Sequence, residues 1–297
     1  MNQVRFITLR ELENIRGPRD CALRDGLWAQ GALDGLARPT VALVGTRAAT
    51  AYGRRTAHAF AAELGRAGCC VISGLALGID TAAHEGALAA GAGTVGVLGS
   101  GHAHFFPARN VELARRIVAN GGAILSPFPP EQPALPWQFL QRNGVVAALA
   151  DAVVVIEAPA RSGALNTANW AADRIPVFAV PGDIDRAHVA GCHALIRDGA
   201  TLARSAADVL EVLRMKPLPE SPDREEERPA DEVSGQILHT LASGEAGLET
   251  LAEMTGYGTP QLISALGVLE IAGLVVRSGA FFARARPSVI VEGCNFG

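Results

Sequence analysis

Lysine is almost absent from this 297-residue chain: Lys216 is the one example among 26 basic residues, and the other 25 are arginine. That excludes a G-x-x-x-x-G-K-[ST] loop and ATP hydrolysis of the P-loop kind, which needs its lysine on the terminal phosphates. Cysteine is scarce and badly spaced. Cys21, Cys69, Cys70, Cys192 and Cys294 are odd in number and form no C-x-x-C pair, so neither a disulfide framework nor a zinc site is indicated. A reducing cytoplasm is the expected compartment. No stretch joins a basic start, an apolar core and a small-residue cleavage site, and the chain reads as unexported. The longest run lacking Asp, Glu, Lys and Arg, residues 86 to 108, is broken by glycines, two histidines and a proline. No membrane span is expected.

What the chain does have is apolar substance, 49% of its residues, enough for one large domain and one small one. The formal charge of −4 is unevenly spread. Residues 1 to 216 hold 21 basic and 18 acidic side chains, residues 217 to 232 hold 2 and 7, and residues 233 to 297 hold 3 and 5. The acidity lies outside the large domain, which leaves room for a basic patch on it.

Six apolar runs of strand length, at 40–46, 69–74, 93–99, 122–126, 152–158 and 176–182, alternate with segments such as "YGRRTAHAFAAELGRAG" and "NVELARRIVANGG" that carry apolar residues at helical spacing. Strand and helix in strict succession predict an α/β fold: a doubly wound, mostly parallel Rossmann-like sheet with helices on both faces. Residues 216–232, "KPLPESPDREEERPADE", have four prolines, a charge run and no apolar period, and read as a linker. Residues 233–284 restart a pattern of three helices, the third with Thr259 as N-cap and Pro260 at N1, and then an apolar two-stranded ribbon. That is a small C-terminal winged-helix domain, with residues 285–297 left as a tail.

In doubly wound sheets ligands sit beyond the carboxyl ends of the strands. Here those ends are followed by "GTRAATAYG", "SGLALGID", "GSGHAHFFP", "EAPARSGALNTA" and "PGDIDR", rich in glycine and hydroxyl residues and poor in carboxylates. One such glycine is usually there for a tight turn. Several on one edge favour an anion site built from backbone N–H groups, with Arg47 as a bidentate donor to phosphate oxygens. The "SGLALGID" turn lacks the third glycine of the dinucleotide fingerprint G-x-G-x-x-G, so it is not the nicotinamide motif and its ligand stays open at this point.

In "PALPWQFLQRNGVVAAL", Trp137 and Phe139 stand just before Arg142 and Asn143, in what reads as a loop at the sheet edge leading to a helix. We expect Trp137 to anchor that loop on the core. Phe139 stays open between the same role and a stacking face for a base beside a guanidinium. Asp80 and His84, one turn apart, are expected to hydrogen-bond structurally, and Glu157 either holds a ribose hydroxyl or bonds neighbouring turns. His102 and His104 alone make no metal set, and Cys69 and Cys70 have no basic neighbour to lower a thiol pKa. No nucleophile–base pair assembles, so no catalytic residue, cofactor or metal is expected.

Taken together, "VGTRAATAYG", "SGLALGIDTAAHEGAL", "VLGSGHAHFFPARN", "FLQRNGVVAAL", "VVVIEAPARSGALNTA", "VFAVPGD" and "GCHALIRDGA" resemble, in order, the DNA-processing protein A family, DprA or Smf. The resemblance implies an extended Rossmann-like domain over residues 40–215. Such a domain binds single-stranded DNA, forms a homodimer, protects incoming DNA, and loads RecA recombinase in natural transformation and recombination. On it, Arg47 holds phosphate in a pocket walled by Ser73, Gly74, Ser162, Gly163 and Thr167, while Phe139, Arg142 and Asn143 match the motif whose aromatic contacts a base. Gly144 stands where the family pattern has an arginine, and residues 1–39 read as a shortened N-terminal helical extension. The runner-up, a nucleotide-processing phosphoribohydrolase, needs the acid of a G-G-x-G-T-x-x-E turn, and Asn169 or Trp170 stands there instead. A third reading makes the winged helix a duplex-binding regulator. Its third helix, "TPQLISALGVLEIAG", has no Arg or Lys and carries Glu270, so a protein contact or regulatory role is expected of it.

Overall fold

The computed structural model describes residues 3–17, 25–215, 232–242, 244–271 and 274–284. The expected linker 216–232, apart from Glu232, and the expected tail 285–297 lie outside these residues, as do Cys21 and Cys294. The chain forms two units, residues 1–219 and 220–297.

The first unit begins with β1 (Arg5–Thr8), α1 (Leu9–Arg16) and β2 (Gly26–Gly31). Alternating strands and helices follow: β3 (Thr40–Val44), α2 (Ala51–Arg66), β4 (Cys70–Ser73), α3 (Ile79–Ala89), β5 (Thr94–Val97), α4 (Val111–Ala119) and β6 (Ala123–Ser126). The second half runs α5 (Pro136–Leu149), β7 (Ala152–Val155), α6 (Gly163–Ala171), β8 (Val177–Ala179), α7 (Ala190–Arg197), β9 (Thr201–Leu202) and α8 (Ala206–Val212). All nine strands make one sheet in the order β1-β2-β6-β5-β4-β3-β7-β8-β9, and every pairing from β6 to β9 is parallel. The five inner strands β3 to β7 are buried along their whole length, because helices cover both faces. Val41, Leu43, Val71 and Val154 pack into one core, while Ala42, Val44, Ile72 and Val155 pack into the other, as the two-residue period of a strand requires.

The described residues within 1–39 correct the expectation of a helical extension. β1 and β2 pair antiparallel with each other, and β2 pairs antiparallel with β6, so this segment widens the sheet. The reason is economy of core. A segment this short cannot bury enough apolar surface alone, but Ile7, Leu12, Leu27 and Ala29 complete the core that Ala42 and Ile72 begin. Thr8 and Glu11 close a reciprocal cap on α1. The Arg16 guanidinium then fixes the helix to the sheet, donating to the Leu36 and Arg38 carbonyls and to Asp151 at 2.8 Å.

The chain winds from β3 outward through β4, β5 and β6, then returns to place β7 on the other side of β3. The chain leaves β3 for α2 on one face of the sheet and leaves β7 for α6 on the other, so a crevice lies between these connections, the place where doubly wound sheets receive ligands.

The second unit contains α9 (Glu232–Ala242), β10 (Ala246–Gly247), α10 (Leu248–Thr255), α11 (Thr259–Ile271), β11 (Val275–Ser278) and β12 (Phe281–Arg284). It has its own core, with Leu238, Leu251, Leu262, Leu266 and Leu269 at its centre. Two details differ from the sequence reading. The ribbon gains a third strand, β10, paired with β12. Thr259 is already inside α11, and Gln261 reaches back to accept the Gly258 N–H, so the cap falls one residue earlier.

Candidate functional site

At the switch point lies an open cavity of about 740 Å³. The β3–α2 loop with Arg47, the β4–α3 turn with Gly74, the start of α5 and the N-terminus of α6 line it, together with Phe106. Of the residues expected there, Arg47, Gly74, Phe139, Arg142, Asn143, Ser162, Gly163 and Thr167 all line the cavity. Ser73 does not. It is fully buried, and its hydroxyl donates to the Leu43 carbonyl at 2.6 Å, so it joins β4 to β3 instead of walling the pocket.

The floor answers why the "SGLALGID" turn carries glycines. Its amides were expected to face a phosphate; instead the Gly74 and Ala76 N–H groups donate to the Asp80 carboxylate at 3.1 and 3.3 Å. The Gly74 carbonyl accepts from the Arg142 guanidinium, which also donates to Val97 at 2.6 Å. One residue, through its N–H and its C=O, thus links a buried cation to a buried carboxylate. Asn110 holds the rest of the turn, donating to the Leu75 carbonyl at 2.8 Å and to the Thr81 hydroxyl at 2.9 Å. Gly78 sits at φ +85°, and a Cβ there would meet the Thr46 carbonyl oxygen at 2.4 Å. The glycines let the turn lie against the loop that carries Arg47. Burial lowers Arg142 to about 10, opposed by the attraction of Asp80, while burial raises the Asp80 carboxyl. Asn143 bridges α5 to α6, its amide donating to the Gly163 carbonyl at 3.1 Å. Gly144, at the position of the family's arginine, is buried within α5.

The rim is cationic and aromatic. The Arg47 guanidinium carbon lies 5.3 Å from the centre of the Phe139 ring. Phe139 meets Phe106 edge-on at 5.7 Å, and Phe106 is 48% exposed. Trp137 and Phe139 belong to the first turns of α5, not to a loop, because Pro136 pre-sets the helix start and Gln138 closes back on the Leu135 N–H at 2.7 Å. Trp137 is 56% exposed and leans edge-on against Phe128 at 5.8 Å, so it is a surface ring and not the expected core anchor. Ser162 caps α6, accepting from the Ala164 N–H at 3.3 Å, and exposed Arg161 stands beside it on the lining. Phe106, Asn110 and Arg161 were missed from sequence, although "FFPARN" and "PARSG" lay inside segments already singled out.

The remaining candidates are structural. Glu157 takes the second of its two expected roles, accepting from the Thr50 N–H at 2.9 Å and the Thr50 hydroxyl at 2.8 Å at the start of α2. Burial pushes the thiols of Cys69, Cys70 and Cys192 up to about 11, 12 and 11. His102 places Nε2 at 3.1 Å from the Ile124 carbonyl. Among the described residues no group of three His, Cys, Asp or Glu side chains is arranged to hold a metal.

His84 is fully buried, with Nδ1 2.8 Å from the Thr94 hydroxyl, which itself donates to the Val71 carbonyl. The hydroxyl proton is spent, so Nδ1 carries the hydrogen. Burial holds the imidazole down to about 3, against an ordinary 6.5. Between those values the unfolded chain binds a proton that the native state refuses, so stability rises with pH across the window and is lost as pH falls. The slope is at most about 1.4 kcal/mol per pH unit. Chemical denaturation of His84→Gln from pH 7 to 4 should show a flatter acid limb than the parent, and an unchanged slope would contradict this account.

A Rossmann-like domain with its cleft at the switch point, followed by a winged-helix unit, is the class of protein that this fold and site define. Among the described residues no helix is long and apolar enough to cross a membrane. The family model for DNA recombination-mediator protein A matches residues 22–214, and the DprA winged helix domain matches residues 217–280. The chain belongs to the DNA recombination-mediator protein A (DprA/Smf) family. It is 40% identical over 281 residues to a putative DNA processing protein DprA of Mycobacterium tuberculosis, covering 88% of this chain and 71% of that protein. Protein Smf of Escherichia coli is 33% identical over 276 residues, covering 91% and 74%. Among solved structures, DprA from Streptococcus pneumoniae superposes with a TM-score of 0.63 at 35% identity, over 70% of this chain and 74% of that one. The DNA processing protein A of Helicobacter pylori, described for its single-stranded DNA binding mode, gives 0.62 at 29%, over 72% and 98%.

Proposed function

We propose that the cleft binds single-stranded DNA without sequence preference. The observation that carries this reading is the Arg47–Phe139 pair, a guanidinium 5.3 Å from an aromatic ring at the mouth of the switch-point cavity. A phosphate would sit between Arg47, Arg161 and the N-terminus of α6 at Ser162 and Gly163, where a helix dipole favours an anion. A base would stack on Phe139, with Phe106 as a second face. Arg142, Asn143 and Thr167 shape the floor and position these groups. The Helicobacter relative's single-strand binding supports the assignment.

Family membership extends the proposal to protection of incoming DNA, homodimer formation and loading of RecA recombinase, in the cytoplasm. The role is binding and not catalysis. The raised cysteine thiols are poor nucleophiles at neutral pH, and α6 presents Asn169 and Trp170 where a phosphoribohydrolase needs its acid. Incubation with nucleoside monophosphates should release no base.

The test is anisotropy titration of a labelled oligothymidylate and of a duplex over a range of salt concentrations. Affinity for the single strand should exceed that for the duplex and fall steeply with salt, since phosphate neutralisation releases counterions. Equal affinity for the two forms, or indifference to salt, would remove the proposal. Deleting residues 217–297 should leave single-strand affinity within a factor of about three, because the phosphate contacts that dominate it stay in the first unit.

A further inference from the structure

The second unit carries a surface that the cleft does not use. α11 packs Leu262, Ala265, Leu266 and Leu269 into the unit's core, and its opposite face meets solvent. On that face Ile263 and Val268 are 57% and 56% exposed, with Ser264 and Gly267 between them at helical spacing. A helix that is apolar on both sides is ordinarily buried on both. Gly267 adds an independent argument. A glycine inside a helix lowers its stability relative to alanine, and a Cβ at this position would meet nothing within 4 Å. No contact inside the unit requires the glycine; a closely approaching partner backbone would.

Charge indicates what kind of partner. Among the described residues of this unit, the exposed glutamates Glu232, Glu245, Glu249, Glu253 and Glu270 stand against two arginines, Arg277 and Arg284. Arg277 is engaged with the Gly279 carbonyl and lies over the Phe282 ring. α11 has no basic residue and carries exposed Glu270 two turns along from Ile263, which disfavours a phosphate backbone. Glu270 is the one charged side chain on α11, so a second copy of the same face would bring like charge with no compensating cation. We propose that the outward face of α11 docks an amphipathic helix of another protein, apolar along its contact stripe and flanked by Arg or Lys. Docking of this kind follows the helix-in-groove mode, with Gly267 admitting the close approach.

The full chain can be titrated with two synthetic helical peptides of about 18 residues, about five turns. Both carry one Leu/Ala stripe, flanked in one by arginines and in the other by glutamates. The basic peptide should bind, more weakly as salt rises, and the acidic peptide should not. Gly267→Arg, whose side chain enters open space, and Ile263→Ser should each weaken the basic peptide by about tenfold or more, about 1.4 kcal/mol, while leaving oligothymidylate binding at the cleft unchanged. Absence of binding, equal binding of both peptides, or variants that bind like the parent overturns the proposal. So does either of two other results: Gly267→Arg lowering the oligomeric state in sedimentation, which would make a second copy the occupant, or Gly267→Arg abolishing duplex binding, which would make the face a DNA reader.

Discussion

Replacing Arg47 with alanine is expected to weaken binding of a long single strand by about 1 to 3 kcal/mol and to reduce the salt slope by about one counterion. The expected loss for Phe139→Ala is also about 1 to 3 kcal/mol, but with the salt slope intact, because a ring contributes stacking and no charge. The two effects should not add. The guanidinium rests 5.3 Å from the ring, so each side chain orders the other and the double variant should lose less than the sum. Phe106→Ala should cost less than Phe139→Ala, since it supports the ring edge-on from 5.7 Å. Salt-resolved anisotropy of the four variants separates the outcomes. A parent-like Arg47→Ala would place the phosphate elsewhere in the cleft.

Arg142→Met should damage the fold itself. The guanidinium is buried, bonded to the Gly74 and Val97 carbonyls, and linked to the Asp80 carboxylate through Gly74, whose N–H donates to that carboxylate. Removing one partner of such a pair leaves the other charge uncompensated in the interior, at a cost of about 3 to 5 kcal/mol. Denaturant unfolding measures that loss. Burial already raises the Asp80 carboxyl, and without Arg142 it should rise further. A carboxyl raised in the native state binds a proton that the unfolded chain does not. The variant should therefore regain part of its stability as pH is lowered, and Asp80→Asn in the same background should recover part of it at neutral pH. If Arg142→Met unfolded like the parent, the floor network would not be what fixes the β4–α3 turn.

The contrast between Arg47 and Arg142 shows how far sequence could go. Both are legible as cations beside glycine-rich turns or aromatics, and local pattern gives both the same expected role at DNA. The number of hydrogen-bond acceptors around each separates them, and those acceptors come from distant parts of the chain: Val97 from β5 and Gly74 from the end of β4 for Arg142, open solvent and a ring for Arg47. Likewise Ser73 and the Gly74 amide were assigned to a phosphate because their partners, Leu43 and Asp80, are invisible until β3, β4 and α3 are packed. Trp137 departs from expectation for the opposite reason. A large ring next to prolines suggests burial, but the direction in which α5 starts turns it outward.

Sequence by itself determined the alternation of strand and helix, the parallel core, the winged-helix unit and the edge of the sheet where the cavity lies. All of these follow from periodicity and from residues close together in the chain. Tertiary structure alone decided that β1 and β2 extend the sheet, that the connections after β3 and β7 leave to opposite faces and open the cleft, and which polar groups face it. Whether a buried donor is spent or available depends on acceptors brought from 20 to more than 100 positions away, as with Arg16 and Asp151 or Thr50 and Glu157. Local pattern carries no record of such long-range satisfaction.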